Sequence, residues 1–190
     1  GKGTLMKRLV EKYDGYALSI SATTREPRPG EEDGREYFFL SREQFEKRIA
    51  DHALIEHAEY CGNYYGTPKD YVERELAAGR DVILEIEIQG ALKIKEQYPD
   101  ALLLFVSTPD AAELRRRLSG RGTETAEVIR KRLGRAAKEA EGIEAYDYIV
   151  INDDLETCVR ELHGIIAAAH HAPGRNEAFI KKMRREMEGE

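Results

Sequence analysis

Between Ser21 and Phe39 the chain reads Ser-Ala-Thr-Thr-Arg-Glu-Pro-Arg-Pro-Gly-Glu-Glu-Asp-Gly-Arg-Glu-Tyr-Phe-Phe, a run dense in hydroxyls and guanidinium groups. Arg25 and Arg28 can each offer a planar fork of donors to a phosphate, and Ser21 and Tyr37 add hydroxyls that a methyl or a phenyl could not supply. Pro27 and Pro29 stiffen the backbone between the arginines, which reduces the freedom lost on binding. The chemistry that fits is the holding of an anion. A charged surface loop closed by an ordinary turn would have the same composition, so the rest of the chain must decide.

Three other places carry chemistry. Gly1-Lys2-Gly3-Thr4 reads like the second half of a phosphate-binding loop opening a helix, the first half being expected upstream of Gly1. Glu85 and Glu87 stand two residues apart in an apolar run, where an unpaired carboxylate is costly and wants a cation, a donor or water. Arg115, Arg116, Arg117, Arg121, Arg130 and Arg132 crowd one region. They fit a solvated basic helix face, or a lid that closes arginines onto a charged ligand, which the glycines flanking Arg121 favour.

The elements that must position these groups follow from periodicity. Leu5, Leu9 and Val10 recur at helical spacing after Lys2. Tyr16 to Ser21 and Glu36 to Leu40 read as strands on either side of the arginine loop. Ser41-Arg-Glu-Gln44 has capping-box spacing. Leu54 to Tyr65 reads as two strands around a Gly62-Asn63 turn, and Thr67-Pro68 as a helix entry with the hydroxyl as cap, closed at Gly79. Val82 to Ile88 reads as the most buried-looking strand, Ala101 to Val106 and Tyr148 to Ile151 as further continuous apolar strands, with Ser107-Thr108-Pro109 starting a helix. A helix carrying Ile129, Leu133, Ala136 and Ala140 follows the arginines, Asn152-Asp153-Asp154 caps a long helix, and the stretch from Pro173 is a peripheral helix or tail. Strands separated by helices imply an α/β protein with a mainly parallel sheet, whose ligands bind at the carboxyl ends of the strands.

Bulk composition narrows the function. The 190 residues suit one domain, and 41% hydrophobic with 35% charged residues describe a soluble globular chain without a run that could span a bilayer. A net charge of -6 argues against general polyanion binding, so any anion site is a local concentration of arginines. Cys61 and Cys158 lie far apart with no metal-like spacing, which suits a reducing, cytoplasmic setting and packing roles.

In this order, the Ser21 to Phe39 segment, Gly62-Asn63-Tyr64-Tyr65-Gly66, Gly120-Arg-Gly and Ile151-Asn-Asp-Asp resemble guanylate kinase, of the nucleoside monophosphate kinase group, from Gly1 to about Ala169. The resemblance implies a parallel-sheet P-loop core (residues 1–20, 68–108 and 145–190), a small β-rich GMP-binding lobe (21–67) and a helical lid with its flanking helices (109–144). It implies GMP-phosphate contacts from Ser21, Arg25, Arg28, Tyr37 and Tyr65, guanine contacts from Glu56 and Thr67, and a further acidic contact from Glu87, where the family usually has aspartate. Lys2 matches the phosphate-loop lysine, with Gly1, Gly3 and Thr4 around it, and Arg117, Arg121 and Arg132 match arginines that reach the ATP phosphates. Arg28 shares a catalytic role with Lys2 and these three. Asn152 and Asp153 match a segment near adenine. Gly3 stands where a magnesium-binding hydroxyl is usual, which leaves Thr4 as the Mg²⁺ ligand. The implied activity is Mg²⁺-dependent transfer of the ATP γ-phosphoryl group to GMP. Its partners are GMP and ATP, with no nucleic acid or membrane and with self-association left open. The alternative is a non-catalytic guanylate-kinase-like domain that binds a phosphopeptide in the same lobe.

Overall fold

A computed structural model describes residues 2–60, 62–120 and 126–189. Helix α1 (Lys2–Lys12) buries Leu5 and Leu9 of the expected stripe together with Met6, leaves Val10 half-buried, and packs on strand β1 (Tyr16–Leu18). Strand β1 pairs in parallel with β6 (Asp81–Ile83). Between them in sequence comes a four-stranded sheet in the order β3-β2-β5-β4. It is built from β2 (Ala22–Thr23), β3 (Phe38–Phe39), β4 (Leu54–Tyr60) and β5 (Asn63–Pro68). Helices α2 (Arg42–Ala50), α3 (Lys69–Ala77) and α4 (Ile88–Gln97) complete the first compact unit, which ends at Pro99.

The second unit, Asp100–Glu190, carries the parallel pair β7 (Leu104–Ser107) and β8 (Tyr148–Ile151). Its helices are α5 (Ala111–Ser119), α6 (Ala126–Ala140), α7 (Leu155–His170) and α8 (Glu177–Glu188). Leu103, Val150, Cys158, Val159 and Leu162 form its buried apolar set. Burial pushes the Cys158 thiol up to about 11, so this cysteine packs rather than reacts. Cys61 lies outside the described residues. No described helix is long and apolar enough to cross a membrane.

Several element boundaries differ from the sequence reading, each for a local reason. The strand expected over Val82 to Ile88 ends at Ile83, because its partner β1 ends at Leu18: the Ser19 N–H makes the last bond, to the Ile83 carbonyl (2.9 Å), and by Ser21 the chain pairs with Phe38 instead. Ile88 begins a helix instead. Thr67 and Pro68 belong to strand β5, and helix α3 starts after them with no side-chain cap. The helix after β7 is capped by Asp110, which accepts from the Glu113 N–H at 2.7 Å, rather than by Ser107 or Thr108. Other expectations match: Gly62 turns β4 into β5 with φ 77°, and Gly79 (φ 76°) ends α3, both left-handed positions that favour glycine.

The capping box of α2 is complete. The Ser41 hydroxyl accepts from the Gln44 N–H (3.1 Å) and the Gln44 side chain accepts from the Ser41 N–H (2.8 Å). Ser41→Ala should therefore cost about 1 kcal/mol of stability, read as a lowered urea midpoint with unchanged slope.

Candidate active site

Register places the candidate residues on one face. In the β4–β5 pairing Glu56 lies directly opposite Thr67, and Ala58 opposite Tyr65. Residues two apart on a strand share a face, so Tyr65 and Thr67 point the same way. A register shift between Leu54 and Glu56 makes Ile55 an extra residue on its strand. Such a bulge re-aims the next side chain, which is why Ile55 and Glu56 are both buried although strand neighbours normally face opposite ways.

Glu56 is 6% exposed and Thr67 wholly buried. The Thr67 hydroxyl donates to Glu56 Oε1 at 2.8 Å. Burial pushes the Glu56 carboxyl above its usual value, with Thr67 and the more distant Lys93 pulling the other way. Thr67 thus spends its hydroxyl on Glu56, which explains why it caps no helix.

The arginine loop is held by its own carboxylates. Arg25 Nη2 donates to both oxygens of Glu31 (3.0 and 2.8 Å), and the Arg28 N–H donates to Glu31 Oε2 (2.8 Å). Burial alone would raise the Glu31 carboxyl; the Arg28 N–H and the Arg25 fork outweigh it and hold the group below its usual value. Arg25 also lies over the rings of Tyr37 (5.3 Å) and Phe39 (5.8 Å), and Tyr37 meets Tyr65 edge-on at 6.1 Å. Arg25, Tyr37 and Tyr65 therefore form one cluster. Arg28 projects its guanidinium outward, 63% exposed. Ser21 lies just before β2 and accepts from the Phe38 N–H through its carbonyl (2.9 Å).

Glu85, read in the sequence as a carboxylate in want of a partner, belongs with these groups. Its oxygens lie 3.9 Å from where a Cβ on Gly3 would stand. Surrounding protein raises its pKa against the lowering pull of Lys2, and its charge in turn helps raise the Tyr37 hydroxyl, after burial and Tyr65. Glu85 thus couples electrostatically to both the start of α1 and Tyr37. Glu87 is the N-cap position of α4 and makes no side-chain cap bond. Lys2, Gly3 and Thr4 form the exposed first turn of α1; Gly1 lies outside the described residues.

In the second unit Arg117 is brought onto the turn after β8. Its guanidinium donates to the carbonyls of Asn152 (2.8 Å) and Asp153 (3.4 Å), and its Nε to Glu113 (2.5 Å). Arg116, then Arg117, hold the Glu113 carboxyl down to about 2. Arg132 is half-buried on α6, and Arg121 falls outside the described residues. No cluster of three or more His, Cys, Asp or Glu suited to a metal occurs among the described residues.

Sequence reasoning gave no role to Thr23 or Glu31. Thr23 Oγ1 donates to the Tyr64 carbonyl (2.9 Å) and accepts from the Arg25 N–H (3.2 Å), fixing where the arginine leaves the sheet. A Glu six residues after an Arg across two prolines is a weak signal that could have suggested the Glu31 pairing.

A family model described as guanylate kinase matches residues 1–169. A guanylate kinase of Desulfitobacterium hafniense is 51% identical over 168 residues, 88% of this chain and 84% of the relative. One of Halalkalibacterium halodurans is 48% identical over 190 residues, the whole of this chain and 92% of the relative. The crystal structure of guanylate kinase from Anaplasma phagocytophilum superposes with a TM-score of 0.77 at 34% identity, covering 91% of this chain and 84% of that one.

Because burial raises the Glu56 pKa, its ionised form destabilises the free protein: stability linked to this group is full below the unfolded value of 4.5 and is lost as pH rises through the higher folded value. Glu56→Gln keeps an acceptor for Thr67 and removes the charge. It should stabilise the unliganded protein at neutral pH by about 1 kcal/mol, or about 2–4 °C in Tm. The gain should vanish in scans below pH 4.5.

Proposed function

The chain belongs to the guanylate kinase family and phosphorylates GMP with ATP, and we propose that the lobe of residues 21–67 holds the GMP. The observation that carries this is the joining, on one sheet, of an arginine–tyrosine cluster to a buried carboxylate held by a single hydroxyl. Guanine presents N1–H and N2–H₂ side by side, and an ionised Glu56 accepts from both; adenine offers no such pair on that edge. Thr67 holds Glu56 by Oε1 and can turn its hydroxyl to guanine O6. Glu87 is a further nucleotide contact.

At the other end Arg25, Arg28, Tyr37, Tyr65 and Ser21 receive the GMP phosphate. Arg25 starts with Nη2 on Glu31 and Nη1 on the Glu26 carbonyl, so its guanidinium is already oriented for a phosphate that takes the place of the acid. In the first unit Lys2 and the first turn of α1 are the candidates for ATP-phosphate contacts; in the second unit the candidates are Arg117, Arg121 and Arg132 for phosphate and Asn152 and Asp153 for adenine. No protein nucleophile is needed, because the acceptor is already an anionic phosphate oxygen. Catalysis on this reading consists of aligning two polyanions, spreading the charge that develops and excluding water.

Magnesium fits the residues at the start of α1. The Thr4 hydroxyl and the Glu85 carboxylate, which flanks Gly3, are hard oxygen donors of the kind this cation takes alongside phosphate oxygens and water. When bound it supplies charge neutralisation on the transferred group. On this reading the reaction runs in the cytoplasm.

The test is ADP release measured with ATP, Mg²⁺ and GMP. Turnover supports the enzyme; phosphopeptide binding without turnover would select the adaptor reading. Arg28→Met should raise the KM for GMP about 10- to 100-fold, the loss of a charged hydrogen bond to phosphate, with little change in Tm. Unchanged GMP kinetics would remove Arg28 from the site.

A further inference from the structure

We infer that Gly90 is a positioning residue that sets guanine specificity, because its missing side chain is the space in which the Glu56 carboxylate stands. The inference rests on the reading of Glu56 as the guanine contact. A Cβ built on Gly90 would meet Glu56 Oε2 at 2.8 Å, Glu56 Cδ at 3.3 Å and Ile86 Cδ1 at 3.5 Å. The first of these is closer than real Cβ atoms approach.

Backbone conformation gives no reason for glycine at this position. Gly90 is buried in the first turn of α4 and is not among the positive-φ residues. Inside a helix glycine is about 1 kcal/mol worse than alanine. The helical glycines Gly134 and Gly164 have nothing within 4 Å of such a Cβ, so the crowding is particular to position 90. What glycine contributes there is room, and the group that uses the room is Glu56 Oε2.

The carboxylate is thereby bracketed. Thr67 holds Oε1 at 2.8 Å, and the first turn of α4 lies against Oε2. A methyl at position 90 must displace the carboxylate, stretch the Thr67 bond, or both. The obstructed atom is the end of a flexible side chain, so the displacement falls on the recognition group and leaves the backbone in place. Gly66 is the contrast: a Cβ there meets the Glu56 carbonyl at 2.8 Å, with Leu54 Cδ1 and Phe45 Cζ at 3.0 Å, and it protects the sheet itself.

The experiment compares wild type, Gly90→Ala, Glu56→Asp, Glu56→Gln and the Gly90→Ala/Glu56→Asp double variant, with GMP and IMP as acceptors. IMP lacks the 2-amino group that Glu56 would accept from. Gly90→Ala should raise the KM for GMP about 10- to 100-fold, as displaced contacts do. It should narrow the GMP:IMP ratio of kcat/KM and leave the KM for ATP and the Tm near wild type. In the Glu56→Asp background the acid is one methylene shorter and clears the methyl, so the same substitution should add less than about threefold.

An unchanged GMP:IMP ratio in Gly90→Ala, or an equal cost in both backgrounds, would overturn the inference. Should Gly90→Ala alone fail to fold, recovery of folding in the double variant supports the steric conflict and its absence overturns it. Failure of the underlying reading is separate: Glu56→Gln would then leave the GMP:IMP ratio unchanged whatever happens at position 90.

Discussion

A carboxylate in a residue that is 6% exposed is costly to keep ionised unless donors surround it, and the geometry of the residue 21–67 sheet is arranged about that carboxylate. The bulge at Ile55 turns Glu56 inward, the pairing with β5 brings Thr67 opposite it, and α4 approaches closely enough that a Cβ at position 90 would stand 2.8 Å from Glu56 Oε2. One hydroxyl does not satisfy a carboxylate, which has about four acceptor sites. A ligand with adjacent N–H donors would relieve that shortfall.

The arginine loop uses the opposite strategy. There the charge is matched within the protein, Arg25 by Glu31 and the Arg28 N–H by the same carboxylate. The Arg25 guanidinium is already oriented, so less rotamer freedom would be lost to a phosphate that took the place of the acid. In the second unit Arg117 is likewise set on the carbonyls of Asn152 and Asp153. Each unit therefore holds its own charged groups in prepared positions.

Residue type and spacing suggested Arg25, Arg28 and Tyr37 as anion-holding groups, and the structure brings Arg25 and Tyr37 together while Arg28 faces outward; that much was legible because these groups are close in sequence. The alternating apolar runs and the capping box at Ser41 were legible for the same local reason. Thr67 was misread as a helix cap because its true partner, Glu56, lies across a strand pair and depends on a bulge that no periodicity reveals. The strand at Val82 was read too long because its end is set by where β1 stops. Glu85 drew notice as an isolated carboxylate, but its place beside Gly3 is a contact over 82 residues. Gly90 carries no turn signal at all, since its meaning is the space left for another element. What could be read was local; what could not is set by register and close approach.

The central claim is that an ionised Glu56 accepts guanine's donors, and the direct measurement is the GMP dissociation constant as a function of pH in wild type and Glu56→Gln. Protonating the carboxyl turns an acceptor into a donor that faces N–H groups. Wild-type affinity should therefore fall as pH drops through the raised Glu56 value, toward the ordinary 4.5. The glutamine variant should bind more weakly at neutral pH and show only the dependence that the GMP phosphate itself imposes. Two parallel curves of equal affinity would contradict the account.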